Sequence, residues 1–226
     1  MQINIRETKN EKVGIISDPH FHHNPKWAIP LWKARGYNSV EEHDNDIIDK
    51  VNAMFGPNDI LFMLGDFCLN TTVDQFNELL GRIKPQIWAL WGNHNNPHDK
   101  AVYRKAMGSN YIGSIQVEQY PYQYKNMLYL GPRVTLILNG QFCVLDHYPL
   151  HVWEEMQHGA WMLCGHSHYG CEYSRAETPG KILDVGWDGH KAPWTFEEIK
   201  VVMATKQFVA VDHHRPEMQS SPLPSV

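Results

Sequence analysis

Cysteine is scarce. The 226 residues hold four, Cys68, Cys143, Cys164 and Cys171, with no Cys-x-x-Cys pair among them. That excludes a disulfide framework and a thiolate zinc site, and leaves buried reduced thiols as the expectation. Long apolar runs are missing as well. The longest stretches, such as Val134 to Leu138, are strand-sized, far short of the roughly 20 residues that cross a bilayer. Excess positive charge is also absent: 20 Lys plus Arg stand against 25 Asp plus Glu, for a formal charge of -5. An extended nucleic-acid-binding surface is therefore not expected. Met1 to Asn10 lacks the basic-then-apolar layout of a secretory signal, so a cytoplasmic location without membrane attachment is expected. No internal repeat or low-complexity segment is visible.

Histidine is what the chain has in plenty. Fourteen of them beside four cysteines favour imidazole and carboxylate chemistry over thiolate chemistry for any metal. With 42% apolar and 20% charged residues the composition is that of an ordinary globular chain. The length favours one domain over 1–205, with 109–133 as an insertion that sets specificity and 206–226, rich in proline and serine, as a flexible tail.

Short apolar runs bounded by turn residues mark strands at Lys12 to Ser17, Asp59 to Leu64, Gln86 to Trp91, Ala160 to Cys164 and Lys181 to Val185. Between the first three, apolar residues recur at helical spacing. Ser39-Val-Glu-Glu42 reads as a capping box ahead of Ile47, Ile48, Val51, Met54 and Phe55. Val73, Phe76, Leu79, Leu80 and Ile83 form a second helical face, closed by Gly81 and Pro85. This alternation predicts an α/β fold with parallel strands. A further helix is expected near Asp99 to Met107 and a final one over Thr195 to Thr205. From about Ile115 to Val144 β-branched and tyrosine residues predict a second set of strands, with Asn139-Gly140 as a hairpin turn.

Five of the predicted strands run into polar clusters: Asp18-Pro-His20, Gly65-Asp66, Gly92-Asn-His94, Asp146-His147 and Gly165-His-Ser-His168. Singly, each has a bland reading, an Asp as a turn or cap residue and a His as a surface group. Together they matter, because the carboxyl ends of strands in an open α/β sheet converge on one edge, where such folds bind ligands. Carboxylates, imidazoles and an amide oxygen suit manganese, iron, zinc or nickel.

The order Asp-x-His, Gly-Asp, Gly-Asn-His, a lone His and Gly-His-x-His resembles the calcineurin-like metallophosphoesterase superfamily. Ser17-Asp-Pro-His-Phe-His-His23, His147-Tyr-Pro-Leu-His-Val-Trp153, Trp161-Met-Leu-Cys-Gly-His-Ser-His168 and Asp184-Val-Gly-Trp-Asp188 look like a small stand-alone bacterial and phage branch of it. The resemblance runs from about residue 13 to 205. Two positions depart from it: Asn95 stands where an acid usually follows Gly-Asn-His, and His151 where an arginine is expected.

The resemblance implies two mixed β-sheets packed as a sandwich flanked by helices, with two divalent metal ions at one end. Manganese is the first expectation; iron, nickel, zinc and magnesium are alternatives. Asp18, His20 and His168 would hold one ion, Asn93, His147 and His166 the other, and Asp66 would bridge them. Two divalent ions offset by Asp18, Asp66 and a shared hydroxide leave about one net positive charge, which draws an anionic ester. His94, next to a ligand but assigned no metal, would protonate the leaving alkoxide. His23 and Asn95 are candidates for contact with substrate, and Asp184 and Asp188 for orienting ligands. Tyr120, Tyr122, Tyr124 and Tyr129 would either wall a base pocket or pack in strands. His22 follows the first motif closely, and His213 and His214 sit in the tail without an assigned role.

The function expected from these residues is hydrolysis of a phosphodiester or phosphomonoester, with a small nucleotide-like substrate ahead of a phosphoprotein. A non-catalytic metal-binding scaffold on the same fold is the reading from another class.

Overall fold

The computed structural model describes residues 1–69, 71–94, 121–170 and 180–207. Three consecutive apolar runs form β2 (Val13–Ile16), β3 (Ile60–Met63) and β4 (Gln86–Leu90), paired in parallel. β2 is buried at every position and β3 nearly so, as suits strands covered on both faces. β6 (Met127–Gly131) adds in parallel to β4, and β5 (Tyr122–Tyr124) and β11 (Trp194–Thr195) close the two edges in antiparallel fashion. The second sheet runs β1-β7-β8-β9-β10, with β1 Gln2–Ile5, β7 Arg133–Leu138, β8 Gln141–Asp146, β9 Trp161–Cys164 and β10 Ile182–Asp184. Only β7 and β8 pair antiparallel there, so the chain is α/β with two mixed sheets.

The sheets share one core. Val13, Ile15, Phe62, Leu64 and Leu90 from the first meet Val134, Leu136, Leu145, Leu163 and Leu183 from the second. On the far side of the first sheet lie α2 (Val40–Met54) and α3 (Val73–Arg82), which bury Ile47, Ile48, Val51, Phe76, Leu79 and Leu80 against Leu61, Met63 and Ile87. α5 (Phe196–Thr205) sets Phe196, Ile199 and Met203 into the shared core, behind a capping box of Thr195 and Glu198. The short α1 (Leu31–Ala34) and α4 (Trp187–His190) flank one end. Among the described residues no helix is long and apolar enough to cross a membrane.

The strand-rich stretch does hold strands, divided between the sheets: β5 and β6 belong to the first, β7 and β8 to the second. The described part of the 109–133 segment carries β5 and β6. Gly81 lies inside α3, which runs to Arg82 with Ile83 as its C-cap and opens on a capping box of Thr72 and Gln75. In α2 the Ser39 hydroxyl accepts from Glu42 N, but the Glu42 carboxylate reaches past it to Asn38 N at 2.7 Å. The hairpin turn stands at Asn139-Gly140, both with positive φ (53° and 88°). The helix expected near Asp99 to Met107 and most of the tail lie outside the described residues.

Candidate metal centre

Parallel pairing sets the carboxyl ends of neighbouring strands side by side. β2 leads into Asp18 and His20, β3 into Asp66, and β4 into Asn93 and His94. β8 and β9, parallel in the other sheet, lead into His147 and into His166 and His168. The two sheet ends are stitched together: Trp187 N donates to Ser17 O at 3.0 Å, His166 N to the Asp18 carboxylate at 2.9 Å, and His147 Nδ1 to Leu64 O at 3.0 Å.

Five of the seven ligand candidates meet in two overlapping groups. Asp18, His20 and His168 each offer one donor atom within 4.8 Å of the others, and so do Asp18, Asp66 and His147. His20 Nε2 and His147 Nε2 stand 3.6 and 3.5 Å from the same Asp66 oxygen. Asn93 Oδ1 lies 2.7 Å from both His147 Nε2 and His166 Nδ1. Asp18, His20, Asp66 and His147 form a buried floor, whereas Asn93, His94 and His166 are exposed, so a ligand approaches from one side.

These residues fit divalent cations. Asp18 Oδ1 and both ring nitrogens of His20 are buried without a hydrogen-bond partner, a cost of about 1–3 kcal/mol each that a cation would remove. Burial would raise the Asp18 carboxyl, but the His20 imidazole 3.7 Å away, with His147 and His168 adding, outweighs it and holds it at about 2. Burial pulls His20 down to about 4, leaving a neutral imidazole able to ligate. Asp66 is pushed up to about 6 by burial, with the Asp18 charge adding and His147 opposing. Two buried carboxylates in one floor, facing nitrogen and oxygen donors and no thiolate, match a hard or borderline ion.

The backbone is bent at these positions. Asp18, His20, Asp66, His166 and His168 all take positive φ, between 50° and 69°. Such left-handed conformations cost non-glycine residues of order 1–3 kcal/mol and gather at functional sites. Gly65 turns the chain at φ 108°, while Gly92 serves by its size, since a Cβ there would collide with the Asp66 carboxylate.

An outer layer holds the floor in place. His168 Nδ1 bonds Asp188 Oδ2 at 2.7 Å, leaving Nε2 for the ligand face. Arg35 grips both Asp188 oxygens, through Nε at 2.9 Å and Nη2 at 2.7 Å. It also donates to the carbonyls of Asp18 and Pro19 and to His43 Nε2, so all five of its protons are used. His43 Nδ1 in turn reaches Asp44, whose other oxygen accepts His22 N at 3.0 Å. Asp184 accepts from Ser167 Oγ, Tyr169 N and Gly186 N, shaping the Gly-His-Ser-His turn itself. Sequence reasoning missed Arg35, His43 and Asp44, which carry no local pattern.

Other candidates fall elsewhere. Tyr124 stacks on Phe76 and donates to Asn77, and Tyr129 is buried against Trp91, so both pack rather than wall a pocket. Tyr120, Asn95, His213 and His214 lie outside the described residues, as does the side chain of Tyr122. His151 is exposed.

The outer layer has a measurable consequence. If the Asp18–His20–His168 group holds an ion, Asp188→Asn is expected to weaken its binding by about 10- to 100-fold in a chelator-competition titration. Burial alone would raise the Asp188 carboxyl, but His168 and Arg35 hold it far below its usual range. A depressed carboxylate stabilises the fold above its unfolded value, about 3.9, and that contribution is lost as the pH falls through the folded value. The stability gap between metal-stripped wild type and Asp188→Asn is therefore full at pH 7, at about 1.5–3 kcal/mol, and narrows below about pH 4. A gap independent of pH would contradict this account of Asp188.

No protein-family model matches the chain. Over 90 residues, 39% of the chain, it is 31% identical to an uncharacterized protein of Methanocaldococcus jannaschii, and spans about half (49%) of that relative's length. A solved structure of a protein of unknown function from Aquifex aeolicus is similar in fold, with a TM-score of 0.57 at 16% identity. That likeness covers 85% of this chain and 100% of the other.

Proposed function

We propose that this chain is a dinuclear-metal phosphoesterase of the calcineurin-like superfamily, acting in the cytoplasm on a small phosphodiester or phosphomonoester. The observation that supports it most is the buried floor itself. Asp18 and Asp66 are 0% and 1% exposed, and Asp18 Oδ1 and the His20 nitrogens have no hydrogen-bond partner among the described residues. Left bare, that arrangement is costly; with cations it becomes a positively charged site for an anionic ester.

Asp18, His20 and His168 would hold one ion and Asn93, His147 and His166 the other, with Asp66 shared. Bound there, two such ions would supply an activated water at neutral pH and offset negative charge on phosphoryl oxygens. The protein's own groups do the rest. Leu64 O and Asp188 fix the ring orientations of His147 and His168. His94 sits beside the floor, its ring edge-on to His20 at 5.3 Å, where it can deliver a proton to the departing alkoxide. The exposed side at Asn93, His94 and His166 admits the ester.

The test is chelator-stripped protein reloaded separately with manganese, nickel, zinc or magnesium, assayed on a chromogenic phosphodiester and the matching monoester. Metal-dependent turnover is expected, and the preferred ester directs the search for the natural substrate. Two bound ions with no turnover of either ester would replace the enzyme with a metal-binding scaffold.

A further inference from the structure

One imidazole beside the floor is used neither as a ligand candidate nor as the proton donor. His23 follows His20 by three residues, and its backbone N–H donates to His20 O at 3.2 Å. Its ring meets the His20 ring edge-on, with centroids 5.8 Å apart at 74°. His94 meets the same His20 ring at 5.3 Å and 68°. Two non-ligand imidazoles thus flank one ligand of the Asp18–His20–His168 group.

The state of the His23 ring is fixed by its surroundings. Nδ1 accepts the Leu31 N–H at 2.9 Å, so it bears a lone pair, and a neutral ring must then carry its proton on Nε2. Among the described residues no hydrogen bond engages Nε2, and the residue is only partly buried. A ring held this way cannot take up a second proton without losing its bond to Leu31, and its Nε2 proton, whose loss would leave an imidazolate, is not given away. It is a preset N–H donor beside a site for anions.

We propose that His23 is a substrate-binding residue whose Nε2–H donates to a non-bridging phosphoryl oxygen, while His94 serves the leaving oxygen. This rests on the phosphoesterase reading and names the part of the substrate that the imidazole takes. A neutral donor suits an oxygen that gains charge in the transition state and never needs a proton of its own.

Two substitutions separate this role from a merely structural one. His23→Asn keeps an acceptor where Nδ1 was, so the Leu31 bond survives, but it has nothing at the Nε2 position. His23→Gln places an N–H near Nε2 and gives up the Leu31 bond. The full chain loaded with manganese would be titrated with inorganic phosphate by calorimetry, with kcat and KM measured on the preferred ester and melting followed on the stripped protein. His23→Asn is expected to weaken phosphate binding and kcat/KM by about 10- to 100-fold with an unchanged melting temperature. His23→Gln is expected to retain phosphate binding within a few-fold. Wild-type phosphate affinity in the Asn variant, or a loss in the Gln variant as large as that in the Asn variant, would overturn the inference. If the wild type itself neither binds phosphate nor turns over either ester, the phosphoesterase reading fails first; an active wild type with an indifferent Asn variant removes His23 alone.

Discussion

Asp66→Asn is expected to raise the melting temperature of the chelator-stripped protein and to lower the number of divalent ions that the reloaded protein takes up from the proposed two. The two effects have one origin. Asp66 is 1% exposed, and burial pushes its carboxyl up to about 6, with the Asp18 charge adding and His147 opposing. A carboxyl raised above its unfolded value binds a proton in the folded protein that it lacks when unfolded. Between about pH 4 and 6 the stripped protein therefore loses stability as the pH rises, and above that it bears the full cost, on the order of 3 kcal/mol. Asparagine is nearly the same shape, carries no charge, and keeps an oxygen for the His94 N–H that bonds Asp66 Oδ1 at 2.9 Å. At pH 7.5 the stripped variant should melt higher, by roughly 2–4 °C per kcal/mol recovered. With metal the order reverses: a neutral amide cannot serve two cations as a carboxylate does. The stoichiometry by elemental analysis should fall from two to at most one. Turnover should fall by more than the 10- to 100-fold that losing an outer partner costs. A stripped variant less stable than wild type, or one that still holds two ions, would contradict the role given to Asp66.

That trade between stability and chemistry also explains what could be read from the residues alone. β2, β3 and β9 were legible because strands buried on both faces need continuous apolar runs, and the polar residues that break those runs stand at the strand ends. The same contrast marked Asp18, Asp66, His147 and His166 as candidates. β1 was not legible, because Gln2–Ile5 alternates between exposed and half-buried positions and gains its reason only from pairing with β7. The place of β6 beside β4 is likewise a tertiary fact: Met127–Gly131 looks the same in either sheet. Arg35 was invisible for a stronger reason. Its partner Asp188 is 153 residues away, and the guanidinium unites one loop, at Asp18 and Pro19, with the first turns of two helices, at His43 and Asp188, that share no periodicity. The left-handed backbone of five ligand candidates cannot be read from residue type, since aspartate and histidine, though several-fold enriched there, adopt other conformations far more often.

His94→Asn should leave both ions in place and still cost about 10²- to 10⁴-fold in kcat on an alkyl phosphate ester. Metal content is spared because His94 touches the floor through its backbone N–H, which asparagine retains. The ring stands edge-on to His20 at 5.3 Å on the exposed side of the floor. Burial and the charge of His168 lower its pKa, with Asp18 opposing. An anionic ester acts in the same sense as Asp18, so the ring gains its proton as the substrate arrives and surrenders it as the alkoxide leaves. A proton donor matters in proportion to the basicity of the group it serves. The loss should therefore be largest for alkyl esters and shrink steeply for 4-nitrophenyl esters, whose leaving group needs little protonation. Added imidazole should restore part of the alkyl activity. An equal loss across both leaving groups, with two ions still bound, would assign the ring to charge stabilisation and remove it as the acid. That outcome would leave Asp66, judged by metal content, untouched.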